Sequence, residues 1–200
     1  MSEILEGLFG SKERLRLLRF FLQNPEGCFD SAEIMRRNML KWAKIRHDMD
    51  MLCRIKFILK SKQKGVVVYR LNQNFDFYPE MKNLIAKANV SPQCKSLARV
   101  ASLGSVKLAI ISGVFINYQK SKADMILVGD DISKAKLNNL MNNLEAEIGK
   151  EVNFVLMTME EFKYRLNMLD KFILEFLEGP HEEVINKIVG LKQFMAKRKL

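Results

Sequence analysis

Leu15, Leu17, Leu18, Phe20, Phe21 and Leu22 recur at helical spacing, Ser11 stands where a cap is needed, and Asn24-Pro25-Glu26-Gly27 ends the pattern. A second start lies at Ser31, where Ser31-Ala32-Glu33-Ile34 opens a short helix through Arg37 before Asn38 turns the chain. From about Lys41 to Arg54 the apolar stripe is Ile45, Met49 and Leu52. Ala43, His47, Asp50 and Arg54 fall on the opposite side, with Lys44 and Arg46 flanking them. Phe57-Ile58-Leu59 and Val66-Val67-Val68-Tyr69 then suit the two arms of a hairpin around a basic loop from Lys60 to Gly65.

Beyond a crossing segment at Phe75 to Pro79, a helix is expected over Met81 to Ala88, and Asn89 to Pro92 marks a joint. The pattern changes there. Val106 to Ile111, Met125 to Val128 and Val152 to Met157 are runs suited to buried strands, and Ile132 to Ile148 is amphipathic with a helical period. Asp130 and Asp131 are placed to cap that helix. Thr158 with Glu161 forms a capping-box pattern before a helix reaching toward Phe176. Between Gly179 and Val189 the pattern fits a helix start or an edge strand equally. These elements divide the chain into residues 1–90 and 91–200. No fixed-period repeat or low-complexity segment interrupts them.

Charge sharpens the reading of the first half. The chain carries +10 overall, and Ser31 to Asn72 holds eleven lysines and arginines against Glu33, Asp48 and Asp50, a surplus of eight. A polyanionic partner follows from such a concentration. Two short helices followed by a basic, glycine-containing hairpin match the plan of a winged helix-turn-helix, one helix in the major groove and the hairpin over the adjacent backbone. Arg46, His47 and Arg54 are then the candidates for base edges, Lys41 and Lys44 for phosphate at the helix start, and Lys60, Lys62 and Lys64 for phosphate from the wing. Trp42 reads as a packing anchor, and the terminal AKRKL as a solvated tail.

Other chemistry is poorly supplied. Cys28, Cys53 and Cys94 are odd in number and widely spaced, and His47 and His181 are the sole histidines, so neither a disulfide framework nor a zinc site is expected. No metal or other cofactor is assigned. The N-terminal MSEILEGLFG has acids where a signal peptide needs cations, and no apolar run reaches the length of a membrane span. The expectation is a cytoplasmic protein without a membrane partner.

LFGSKERLRLLRFFLQNP, YRLNQNFDFYPEMKNLIAKA, LAIISGVF and DMILVGD, taken in order from Leu8 to about Leu177, resemble a two-part prokaryotic family. Its members pair an N-terminal winged-helix transcriptional regulator with a nucleotidyltransferase-like domain. The fold class implied is α+β, with a winged helix-turn-helix domain followed by an α/β domain containing a mixed sheet. In active nucleotidyltransferases of this type a glycine-serine turn precedes two carboxylates separated by one residue, and a third acid lies on a later strand. By that resemblance the turn corresponds to Ser112-Gly113, in reversed order, and the acids fall on Lys122, Asp124 and near Asn153. A lysine ammonium repels the divalent cations that two of those acids would hold, and Asn153 offers only a neutral oxygen. A carboxylate alone at Asp124 reads better as a strand-end group bonded to a nearby turn.

The sequence therefore leads to a sequence-selective regulator of double-stranded DNA whose C-terminal domain is not an enzyme. A homodimer would add the specificity that one recognition helix lacks, and the C-terminal domain is open to a protein or small-molecule effector. The rival readings are a nucleotidyltransferase with an unconventional metal site and a protein-interaction adaptor built on a winged-helix fold.

Overall fold

The computed structural model describes residues 2–87 and 94–191, in two compact units. One comprises Met1–Asn89 with Asn142–Glu151, and the other Val90–Met141 with Val152–Leu200. The architecture is mixed α and β. The joint expected at residues 89–92 and the basic C-terminal tail lie outside the described residues.

In the first unit, α1 (Ser2–Phe9) precedes α2 (Lys12–Gln23), whose first turn is closed by the Ser11 hydroxyl accepting from Arg14 N–H at 3.0 Å. Helix α1 was not anticipated from the sequence. Short strand β1 (Cys28–Asp30) leads into α3 (Ser31–Asn38), with Asp30 as its side-chain cap. Met39 takes a left-handed conformation, and three residues connect α3 to α4 (Trp42–Arg54). Strands β2 (Ile58–Gln63) and β3 (Val66–Leu71) follow, then α5 (Tyr78–Lys87). Helix α5 starts before the expected Met81, because Pro79 in a first turn forfeits no helical hydrogen bond. The sheet is antiparallel in the order β1-β3-β2. Phe20, Phe21 and Ile34 from the first helices meet Ile45, Met49 and Leu52 of α4 and Ile58, Tyr69 and Leu71 of the hairpin in one core.

The hairpin corrects the expected loop. Gln63 pairs with Val66, so only Lys64 and Gly65 form the turn, while Lys60 and Lys62 belong to β2. Both turn residues have positive φ, 47° and 86°, as the two-residue turn matching strand twist requires. The polar run reads as a loop by composition, but cross-strand hydrogen bonds to the valines carry it into the sheet.

Helix α6 (Lys134–Ile148) begins in the second unit, and its C-terminal half belongs to the first. Within the first unit the returning segment is fastened by Asn24 Nδ2, which donates to Gly149 O at 2.7 Å, and by Arg19, which donates to Glu147 O at 3.2 Å. Gly149 has φ 85°, and a Cβ there would press on the Arg19-Phe20 backbone.

The second unit opens with an unanticipated 3-10 helix (Lys95–Ser102), followed by β4 (Ser105–Ile111), β5 (Met125–Asp130), β6 (Phe154–Met157), α7 (Met159–Asn167), α8 (Lys171–Glu178) and β7 (Glu182–Asn186). Its mixed sheet has the order β6-β5-β4-β7, with β5 and β6 parallel and the other pairs antiparallel. Leu108, Ile110, Ile126 and Val128 pack with Phe162, Ile173 and Phe176 of α7 and α8. The stretch left open at residues 179–189 contains an edge strand, β7.

Two expected caps are redistributed. Helix α6 starts at Lys134 rather than Ile132, with Ser133 O accepting from Leu137 N–H, while Asp130 accepts from Met159 N–H at 3.3 Å at the start of α7. Thr158 caps α7 through Glu161 N–H, as its motif predicts. The helix nevertheless ends at Asn167. Leu169 turns left-handed and Asp170 caps α8 by accepting from Ile173 N–H, so the expected single helix is two.

Candidate nucleic-acid interface

Helix α4 sorts its residues by face. Ile45, Met49 and Leu52 are at most 2% exposed, whereas Lys41, Lys44, Arg46, His47 and Arg54 are all solvent-exposed. Trp42 is half-buried against the core, consistent with an anchor. The αL residue Met39 ends α3 and lets Lys41 enter α4 with extended backbone. The cationic side chains are thus set on a helix whose inner face is locked by packing.

Lys60, Lys62 and Lys64 are exposed as well. Lys60 stands opposite Tyr69 and Lys62 opposite Val67, so both project from the sheet face that carries Tyr69 and Leu71 into the core. Lys64 sits at the tip. Burial raises the Cys53 thiol above its ordinary value, while the Lys60 charge draws it down and Asp50 pushes it up. The first lysine of the hairpin and the last turn of α4 therefore share one electrostatic neighbourhood. Together these side chains can follow phosphate oxygens while exposed arginines on α4 meet base edges.

The charge pattern alone misplaces two groups. Asp48 looks like an acid beside His47, yet it is buried and accepts from Arg14 Nε at 2.8 Å and Nη2 at 2.7 Å. Its position three after Ile45 and four before Leu52 already put it in the inward stripe. Arg37, one of the eleven basic residues of the Ser31–Asn72 stretch, lies over the rings of Phe20 and Phe29 at 5.1 and 5.3 Å and pairs with Glu33 and Glu151. The guanidinium closes the first unit instead of facing outward.

Ser112, Gly113, Lys122, Asp124 and Asn153 all lie in the second unit, where the side chains of Ser112, Lys122 and Asp124 take separate partners. Asp124 is 7% exposed, and its Oδ1 accepts from Val114 N–H while Oδ2 accepts from Asn153 N–H, both at 2.8 Å. Its backbone carbonyl accepts from Ser112 N–H. The Asn153 side chain is exposed, the Ser112 hydroxyl donates to Pro180 O at 2.7 Å, and Lys122 pairs with Glu175 at 2.6 Å. Gly113 has φ 51°, and a Cβ there would collide with the Asp124 carboxylate. This constellation ties a strand end to a turn. Among the described residues no group of three histidine, cysteine or acidic side chains is placed to hold a metal ion.

No helix among the described residues is long and apolar enough to cross a membrane. Comparison of the chain with models of protein families, with curated proteins and with solved structures finds no match.

Proposed function

We propose that this chain is a sequence-selective DNA-binding transcriptional regulator of the cytoplasm, with a winged helix-turn-helix as its first unit. The observation that carries this reading is that Lys41, Lys44, Arg46, His47, Arg54, Lys60, Lys62 and Lys64 are all exposed on one helix with its N-cap and one hairpin of a single unit. In this reading α3 and α4 are the paired helices, α4 enters the major groove, and β2 and β3 form the wing. A homodimer would place two such helices on a two-fold-related site. The second unit is a nucleotidyltransferase-like scaffold without transfer chemistry, a reading supported by the backbone bonds that occupy both Asp124 oxygens and by the ammonium of Lys122 at an expected acid position.

Selection of genomic DNA fragments by the purified protein, followed by binding across a salt series, tests the proposal. A shared sequence among recovered fragments and a steep fall of affinity with salt are expected. Equal retention of unrelated fragments would reduce the interaction to charge attraction. Release of enzyme-dependent pyrophosphate from a nucleoside triphosphate with Mg²⁺ or Mn²⁺, abolished by Asp124→Ala, would overturn the non-catalytic assignment.

A further inference from the structure

A cleft of about 350 Å³ opens in the second unit beside Ser112. One wall is the face of α8 that presents Phe172, Glu175 and Phe176 at i, i+3 and i+4, with Glu178 close to its end. The other is the loop carrying Tyr118, Lys120 and Lys122. Among the lining residues charge is segregated, with both lysines on the loop and both glutamates on the helix, where Glu175 is also paired with Lys171 of α8 at 3.6 Å. The walls meet through the Lys122–Glu175 pair, which leaves Lys120 exposed and without an ion pair among the described residues.

The dimensions and charges restrict the ligand. The volume lies near the lower end of small-molecule sites, which run from about 300 to 1,000 Å³. Two carboxylates in the lining oppose a polyphosphate, because like charges brought together in a partly dry cleft repel without a metal between them. Opposed cationic and anionic walls instead suit a small dipolar molecule, and the rings of Phe172 and Phe176 suit an apolar substituent on it.

We propose that this cleft binds a free α-amino acid with an apolar side chain, its carboxylate on Lys120, its ammonium on the wall of Glu175 and Glu178, and its side chain against Phe172 and Phe176. Burial of the side chain contributes affinity, and the two charged walls fix its direction. Glu175 remains a carboxylate for this role because the Lys122 ammonium bonded to it holds it below its ordinary value, which outweighs the opposing effect of desolvation. Every residue of the cleft belongs to the second unit, so ligand binding there is measured without DNA.

Calorimetric titration of the full chain with leucine, methionine and phenylalanine tests it, alongside N-acetyl-leucine, isoamylamine, inorganic phosphate and adenosine monophosphate. At least one of the three amino acids should bind saturably. Blocking the ammonium or removing the carboxylate should weaken binding about tenfold or more, as should Lys120→Ala and the isosteric Glu178→Gln in protein with unchanged circular dichroism. Failure of all three amino acids to bind at millimolar concentration would overturn the proposal. So would amino-acid binding indifferent to Lys120→Ala, or binding of the phosphate ligands in their place.

Discussion

The guanidinium of Arg14 grips a single oxygen of Asp48, with Nε at 2.8 Å and Nη2 at 2.7 Å, while its Nη1 donates to Phe9 O at 2.9 Å. One side chain of α2 thereby holds the end of α1 and the inner face of α4. Replacing Asp48 with alanine leaves Nε and Nη2 of Arg14 without their acceptor and should cost about 2 kcal/mol in urea unfolding. Loss of stability below a few tenths of a kcal/mol would assign the orientation of α4 to apolar packing alone.

Lys60→Ala, Lys62→Ala and Lys64→Ala combined should weaken specific and nonspecific duplex binding alike in a protein that still folds. The slope of log affinity against log salt should also flatten by about 0.9 for each phosphate contact removed. Unchanged affinity and slope in the folded variant would exclude the hairpin from the interface.

Arg46 and Arg54 are expected to act differently from the hairpin lysines, since they project from α4 rather than from the sheet. Substituting either with alanine should change the ranking of selected sequences, by about 1–3 kcal/mol at one base pair if a bidentate guanine contact is lost. Uniform weakening over all sequences would assign that arginine to phosphate.

Two glycines with positive φ separate strain from collision. A Cβ at Gly65 meets nothing within 4 Å, so Gly65→Ala should cost only the left-handed backbone penalty of about 1–2 kcal/mol. Gly113→Ala carries the same penalty and also drives a methyl into the Asp124 carboxylate. Thermal unfolding of the two variants should rank Gly113→Ala as the more damaging. The opposite order would mean that Asp124 can leave its bonds to Val114 and Asn153 freely.

The Glu175 carboxyl should titrate below its ordinary 4.5, because Lys122 donates a hydrogen bond to its charged form. A depressed folded value stabilises the fold above the unfolded value, and that contribution is lost as pH falls through the folded one. In Lys122→Met, carboxyl-carbon resonances should show the Glu175 midpoint moving upward. No movement would mean that the pair is not maintained in solution.

Much of this arrangement follows from local pattern. The stripe Ile45, Met49 and Leu52, the Ser11 and Thr158 caps and the continuous apolar run of β5 each depend on neighbours a few residues away, and sequence spacing reports such neighbours directly. Partnerships across long separations leave no comparable trace. Nothing around Arg14 announces Asp48, and Phe172 and Glu175 reveal a helical face but not the loop of Lys120 that faces them. The basic hairpin illustrates a third limit: Lys60 and Lys62 have the composition of a loop, and only their pairing with Tyr69 and Val67 makes them strand. Likewise, Leu169 adopts a left-handed turn that an apolar residue does not advertise.

Residues 142–151 lie more than fifty positions after the last helix of the unit to which they belong. During synthesis the first 89 residues therefore emerge well before the segment whose Gly149 backbone lies against Arg19 and Phe20. The N-terminal unit cannot finish assembling in the order in which it is made: its last piece arrives only after β4 and β5 have been translated. A nascent chain arrested near residue 100 should consequently leave the α2 surface around Arg19 and Asn24 open to protease, with protection appearing once residue 151 has cleared the ribosome.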